Sequence, residues 1–283
     1  MKLVSFHRDG KATYGLVKAN GVIDLGQRYG TRWPTLRDIL AADGLAQVER
    51  ETQDATPDLP WDGLTLAPVI PNPDKIICIG LNYRDHVAET GRTETEKPAL
   101  FARFAGSQVG HRQPLVKPAV SDEFDYEGEL AVVIGKGGRH VSAVDALAHV
   151  AGYACYNDGS VRDWQRHTSQ FLAGKTFAGT GAFGPWLVTA DEIPDPSRLT
   201  LDTRLNGQVV QHTTTDLMIT AIPEQIAYIS TVLPLLPGDV IVSGTPGGVG
   251  VKRKPQLFMR AGDVVEVEIS QIGILRNPVV AEA

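Results

Sequence analysis

The chain has 283 residues, 42% of them hydrophobic and 21% charged, with two cysteines and a formal net charge of −6. Those values exclude intrinsic disorder, and the length suffices to bury a real core in one large domain or two. The acidic balance argues against a nucleic-acid partner, and no apolar run is long enough to span a membrane.

Residues 1 to about 30 read as a β-meander, with hairpin signals at Asp9-Gly10 and Asn20-Gly21. A helix is predicted through TLRDILAA, with Leu36, Ile39 and Leu40 on one face. The stretch 51–74, rich in Pro, Asp and Thr, reads as a linker, so 1–68 is expected to form a small N-terminal α+β domain and 69–283 a second domain. Beyond it, IICIG reads as a buried strand. NYRDHVAETG reads as a short helix with Asn82 as N-cap and Gly91 as stop, followed by a polar, mobile run ETGRTETEK. The strand DYEGELAVVIGK comes next, then a helix around VDALAHV capped by Ser142, then the strand AGYACY running into Asn157-Asp158-Gly159. GPWLVT, a hairpin at Asn206-Gly207, DVIVSGTP and DVVEVEI are further strands, and IPEQIAYISTVLPL is the clearest helix of the second half. With 29 Gly, 18 Pro and no regular strand–helix alternation, the prediction is a strand-rich α+β fold and not a doubly wound sheet. Cys78 and Cys155 are far apart and read as reduced, buried thiols. The start MKLVSFHRDG lacks the apolar core of a secretory leader, and with the thiols this predicts a cytoplasmic location.

Several motifs fail on context. Gly179-Thr180-Gly181-Ala182-Phe183-Gly184 has dinucleotide spacing, but strand-like Pro185-Trp186-Leu187-Val188 follows where a helix is required. GTPGGVG, residues 244–250, lacks the Lys-Ser/Thr of a phosphate loop. Two cysteines and no His pair of zinc-protease spacing exclude the common zinc sites.

The informative spacing is acidic. Glu127 and Glu129 stand at i, i+2 before the apolar run LAVVI, so strand alternation puts both on one face. They either lie solvated at a strand edge or, if buried, need a cation, and oxygen ligands favour Mg²⁺, with Mn²⁺ or Ca²⁺ also fitting. Asp158 ends a strand and is either a turn residue or a third oxygen ligand. Arg162, at i+4 from Asp158, would share its helix face, as a surface pair or as a carboxylate-binding group. His86 and Glu89, at i, i+3, form either a surface ion pair or a dyad that raises imidazole basicity and activates water. Lys175, flanked by apolar residues in FLAGKTF, either snorkels or meets an anion.

Taken together, IGLNYRDHVAE, FDYEGELAVVIGK, AGYACYNDGSVRDWQ, GKTFAGTGAFGPWLVT, RLNG and PGDVIVSGTPGGVG resemble the fumarylacetoacetate hydrolase family, in its acylpyruvate hydrolase-like branch, over about 75 to 280. The resemblance implies a mixed β-sandwich roll, a homodimer and a catalytic domain at 69–283. It implies metal ligands at Glu127, Glu129 and Asp158 and a water-activating pair at His86 and Glu89. Lys175 takes an enolate-stabilising role, and substrate contacts fall on Arg162, Gln165 and Thr245. Arg103, a departure from the Lys that many relatives carry, is also counted among the substrate-binding residues. The implied reaction is Mg²⁺-dependent C–C hydrolysis of 2,4-dioxo acids (acylpyruvates) by way of an enolate, with a small 2-oxo acid as substrate. Alternatives on the same site are oxaloacetate decarboxylation, 2-oxo acid tautomerisation or isomerisation, and ureidoglycolate cleavage. An alternative of another class is a non-catalytic metal-binding module.

Overall fold

The computed structural model describes residues 1–19 and 21–283. The hairpin expected at Asn20-Gly21 therefore lies partly outside the described residues. Those at Asp9-Gly10 and Asn206-Gly207 form, each with two successive left-handed residues.

Among the described residues the main sheet has 12 strands. Its path runs from the two-residue edge strand Leu59–Pro60 through the N-terminal strands Gly21–Asp24, Lys11–Lys18 and Lys2–Arg8 to Gly181–Thr189. It continues through Val150–Asn157, Gly128–Ile134, Val240–Val242 and Ile76–Gly80 to Ala99–Arg103. Most neighbours are antiparallel, while Val240–Val242 and Ile76–Gly80 pair in parallel, so the sheet is mixed. The segments 1–68 and 69–283 meet in this sheet, where Lys2 and Leu3 pair with Val188 and Leu187.

The apolar run LAVVI is explained by burial on both faces of the sheet. Leu130, Val132 and Ile134 pack with Leu201, Val267 and Leu275 of a second, five-stranded sheet and with Ile226 and Ile229 of the Ile222–Val232 helix. Ala131 and Val133 face the other way, into a core with Leu16, Ile23 and the helix Leu36–Ala41, whose Leu36, Ile39 and Leu40 are buried as their spacing predicts. Cys78 and Cys155 are free and buried. Among the described residues no helix is long and apolar enough to cross a membrane.

Two helix expectations need correction. The helix predicted around VDALAHV is a single tight turn, Ala146–His149, although Ser142 and Asp145 do form their capping contacts. The strand Val150–Asn157 begins immediately afterwards and leaves no length for a second turn. The helix Arg84–Thr90 is capped by Tyr83 and not by Asn82, and Gly91 ends it in the left-handed conformation. The Asn82 side chain is engaged elsewhere: it donates to the Ser243 carbonyl at 2.7 Å and accepts from the Thr220 amide at 2.8 Å.

Candidate active site

Strand pairing assembles the carboxylates. Gly128 pairs with Asn157, so Glu127 and Asp158 fall opposite one another at the ends of two antiparallel strands, and the Asp158 amide donates to the Glu127 carbonyl at 2.8 Å. Glu129 lies one alternation further along the same face. The three carboxylates are buried, and one ligand oxygen from each lies within 4.8 Å of the others. Glu127 and Glu129 line a cavity of about 620 Å³ together with His86, Arg162, Gln165, Lys175 and Thr245, and Asp158 is fully buried beside them.

Lys175 is buried and does not snorkel. Its Nζ lies 2.5 Å from Glu127 Oε2 and 2.6 Å from Asp158 Oδ2. The short helix Leu172–Lys175 can approach the Gln165 segment because residue 174 is glycine; a Cβ there would stand 2.4 Å from the Gln165 nitrogen. Burial alone would push the Lys175 amine down, but the charges of Asp158 and Glu127 hold it above its ordinary value. Burial likewise pushes Glu127 up, yet Lys175 and Arg162 outweigh it and hold this carboxyl well below the usual range. Glu129 goes the other way: burial and then the charges of Asp158 and Glu127 raise it well above the usual carboxylate value.

Arg162 does not share a helix face with Asp158, because Asp158 precedes a short strand and Arg162 opens the following helix. Its Nε donates to Asp125 at 2.8 Å, and its Nη1 reaches Glu127 at 2.7 Å and Gln165 at 3.0 Å. Its Nη2 is buried with no hydrogen-bond partner among the described residues, a donor suited to an anionic ligand. Arg103, expected among the substrate contacts, does not line the cavity. It lies fully buried behind Asp158, bonded to that carboxylate, to the Gly159 carbonyl and to Thr180. Asp125 escaped the sequence reading. It is fully buried, accepts from the amides of Gly250 and Val251 at 2.8 and 2.9 Å, and clamps Arg162. Its place two residues before Glu127 was the available signal, since 125, 127 and 129 alternate.

His86 Nδ1 meets Glu89 Oε1 at 2.7 Å, and the other Glu89 oxygen accepts from the Gly248 amide at 2.9 Å. The Gly-rich turn also holds Asp85 through the Gly247 amide at 3.1 Å. The helix carrying the dyad is thus fastened to that turn, with Val87 buried beneath it, and the exposed polar run starts only after it. Thr245 Oγ1 donates to the Gly128 carbonyl at 3.0 Å and accepts from Gln211 at 2.8 Å, so its hydroxyl is occupied within the protein.

Gly244 aims its amide at Glu129 Oε2, at 2.5 Å, from a backbone with φ of +105°. A Cβ there would stand 2.6 Å from the Asn82 Cβ. Gly244→Ala is therefore expected to cost about 2 kcal/mol or more, read as a lower urea midpoint with unchanged slope. An unchanged midpoint would show that this turn is not under the stated constraint.

The donor set suits a divalent metal ion. It offers hard carboxylate oxygens only, and the buried anions Asp125, Glu127, Glu129 and Asp158 face the buried cations Arg103, Arg162 and Lys175. That balance leaves one carboxylate uncompensated, and the raised Glu129 is its expression; an oxygen-seeking dication would relieve it.

The chain is similar to known proteins over nearly its whole length. Oxaloacetate tautomerase FAHD2A, mitochondrial, from Bos taurus is 41% identical over 288 residues, covering 99% of this chain and 92% of the bovine one. The fumarylacetoacetate hydrolase of Exiguobacterium antarcticum superposes with a TM-score of 0.81 at 35% identity, with 100% of both chains covered. Maleylpyruvate hydrolase from Sphingobium sp. SYK-6, solved with manganese(II) and pyruvate, gives a TM-score of 0.84 at 29% identity, again over 100% of both chains. These relatives are enzymes. The expected cytoplasmic location is overturned, since the bovine relative is named as mitochondrial. That expectation rested on two buried thiols and on the first ten residues, neither of which distinguishes one reducing compartment from another. The fumarylacetoacetate (FAA) hydrolase C-terminal family model matches residues 75–280, and the chain belongs to the fumarylacetoacetate hydrolase family.

Proposed function

We propose that this chain interconverts the keto and enol forms of a small 2-oxo acid of the oxaloacetate type, with Mg²⁺ as cofactor. The observation that carries the reading is Lys175, buried at 2.5 and 2.6 Å from Glu127 and Asp158 in the cavity that His86, held by Glu89, also lines. The likeness to the bovine tautomerase over 99% of the chain supports it.

A divalent ion held by Glu127, Glu129 and Asp158 would act as a Lewis acid toward the 2-oxo carboxylate end of the substrate. The unpartnered Nη2 of Arg162 offers a donor to the same anion. Glu89 fixes the His86 ring through Nδ1, which leaves Nε2 to exchange a proton with C3 of the substrate. The Lys175 ammonium, kept charged by its two carboxylates, stabilises negative charge on the enolate oxygen. Loss of a C3 proton to His86 and delivery of a proton to that oxygen give the enol, and the reverse steps give the keto form.

C–C hydrolysis of acylpyruvates is the second reading. The His86–Glu89 contact favours it, because the same base would activate water, as does the likeness to maleylpyruvate hydrolase. Oxaloacetate enol, a small acylpyruvate and ureidoglycolate, assayed side by side with Mg²⁺, separate the readings. Tautomerisation is expected to show the highest kcat/KM, and faster pyruvate release from the acylpyruvate would transfer the assignment to hydrolysis. Glu89→Gln should lower tautomerisation by about 10²-fold. Any decarboxylation of oxaloacetate should fall much less, because CO₂ leaves without proton abstraction from carbon. An equal loss in both would show that the dyad is not the base.

A further inference from the structure

Asp125 has no part in the chemistry proposed above, yet it is fully buried between the strand of the acidic trio and the Gly-rich turn. Its two oxygens take four hydrogen bonds. Oδ1 accepts from the amides of Tyr126 at 2.9 Å and Gly250 at 2.8 Å. Oδ2 accepts from the Val251 amide at 2.9 Å and from Arg162 Nε at 2.8 Å. A guanidinium beside a carboxylate commonly pairs with it through two parallel bonds, one to each oxygen. Here the amides hold Oδ1, so Arg162 is met on Nε alone. Its Nη1 is committed to Glu127 at 2.7 Å and Gln165 Oε1 at 3.0 Å. The guanidinium is planar and rigid, so these contacts fix its plane and leave only Nη2 without a partner among the described residues. Arg162 lines the cavity, as do Val249 and Val251 of the turn.

We infer that Asp125 is a positioning residue: by engaging Nε with one oxygen only, it turns the Arg162 guanidinium so that Nη2 is kept for the carboxylate of the 2-oxo acid at the floor. This rests on the floor binding a 2-oxo acid, as proposed above. Because the same carboxylate holds the amides of residues 250 and 251, the donor and the Val251 wall keep one register. Without the acceptors of Asp125, the guanidinium would be tied to Glu127 and Gln165 through Nη1 alone and could swing about that nitrogen. The charge would remain but the direction of the donor would be lost, and a charge-assisted hydrogen bond depends on direction.

Asp125→Ser, Arg162→Gln and the double variant test this on the Mg²⁺-loaded protein, with oxamate as an unreactive probe in calorimetry. Ser removes both carboxylate oxygens and leaves room for water to satisfy the amides. Each single variant is expected to bind oxamate about tenfold more weakly than the parent, and the double variant no more weakly than Arg162→Gln. Losses that multiply in the double variant would show that Asp125 does not act through Arg162, and would overturn the inference. A second readout needs no ligand. The Arg162 Nε–H signal in NMR, assigned by its absence from Arg162→Gln, should exchange slowly with solvent in the parent and fast in Asp125→Ser; slow exchange in both also overturns the inference. Oxamate that fails to bind the parent, with the exchange difference intact, upholds the positioning and faults the 2-oxo acid reading alone. Should Asp125→Ser not fold, Arg162→Lys decides, because its ammonium can neutralise Glu127 but offers Asp125 no Nε and the ligand no planar fork. Oxamate affinity as low as in Arg162→Gln then supports the inference, and parent-like affinity overturns it.

Discussion

Replacing Lys175 by Met is expected to lower turnover by about 10³-fold and to destabilise the metal-free protein by about 3–5 kcal/mol. Met nearly preserves length and apolar bulk, so the substitution isolates the charge. Without the ammonium, Glu127 keeps Arg162 and Asp158 keeps Arg103, but both lose a buried partner at 2.5 and 2.6 Å. Added Mg²⁺ should return part of the lost stability, because a dication answers the same charges, yet it should not return the activity, since the ammonium that stabilises the enolate oxygen is gone. Urea unfolding with EDTA and with Mg²⁺, beside the tautomerase assay, measures both. Activity within tenfold of the parent would remove Lys175 from the mechanism.

Glu129 sets the pH behaviour. Its carboxyl is raised above the ordinary range by burial and by Asp158 and Glu127, so its contribution to stability is fully present at low pH and is lost as pH rises through the raised value. In EDTA the melting temperature should therefore fall with rising pH above the usual carboxylate range, and Mg²⁺ should flatten that slope. Glu127 has the opposite sign: its depressed value contributes stability at neutral pH that disappears only on acidification below the usual range. Glu129→Gln should abolish the upper slope, leave the acid limb, and weaken Mg²⁺ binding by more than about 100-fold. Calorimetry in two buffers of different ionisation enthalpy should detect proton release on Mg²⁺ binding to the parent and none with the variant. A parent protein that binds Mg²⁺ with no proton release would contradict the account of Glu129.

Of the acidic trio, Asp158 stood between a turn role and a ligand role until the family resemblance assigned it, because the pairing of Gly128 with Asn157 that brings it beside Glu127 is non-local. The Glu127–Glu129 pair was legible from strand alternation alone. The i, i+3 spacing of His86 and Glu89 was sufficient in the same way. What could not be read were contacts set by strands far apart in sequence. Arg103 reaches Asp158 from the sheet's edge strand, and nothing near either residue announces the pairing. Asp125 is bound by Gly250 and Val251, which arrive from the far end of the chain. Asn82 looked like a cap because its sequence neighbours form a helix, but the backbone of residues 220 and 243 competes for the same amide and wins. The N-terminal meander was read correctly as strands as far as Asp24, beyond which Leu25–Tyr29 is a short helix capped by the Asp24 side chain, whereas its attachment through Lys2 and Leu3 to the strand Gly181–Thr189 is a non-local pairing.

The central claim is that the floor of this cavity enolises a 2-oxo acid through a divalent ion, Lys175 and the His86–Glu89 pair. Stopped-flow absorbance of the oxaloacetate enol tests it most directly, with enzyme in Mg²⁺, then in EDTA, then with Mg²⁺ restored. The account predicts enol decay accelerated in proportion to enzyme concentration, return to the spontaneous rate in EDTA, and recovery on adding Mg²⁺. Enol decay at the spontaneous rate in saturating Mg²⁺, or an acceleration indifferent to EDTA, would contradict it.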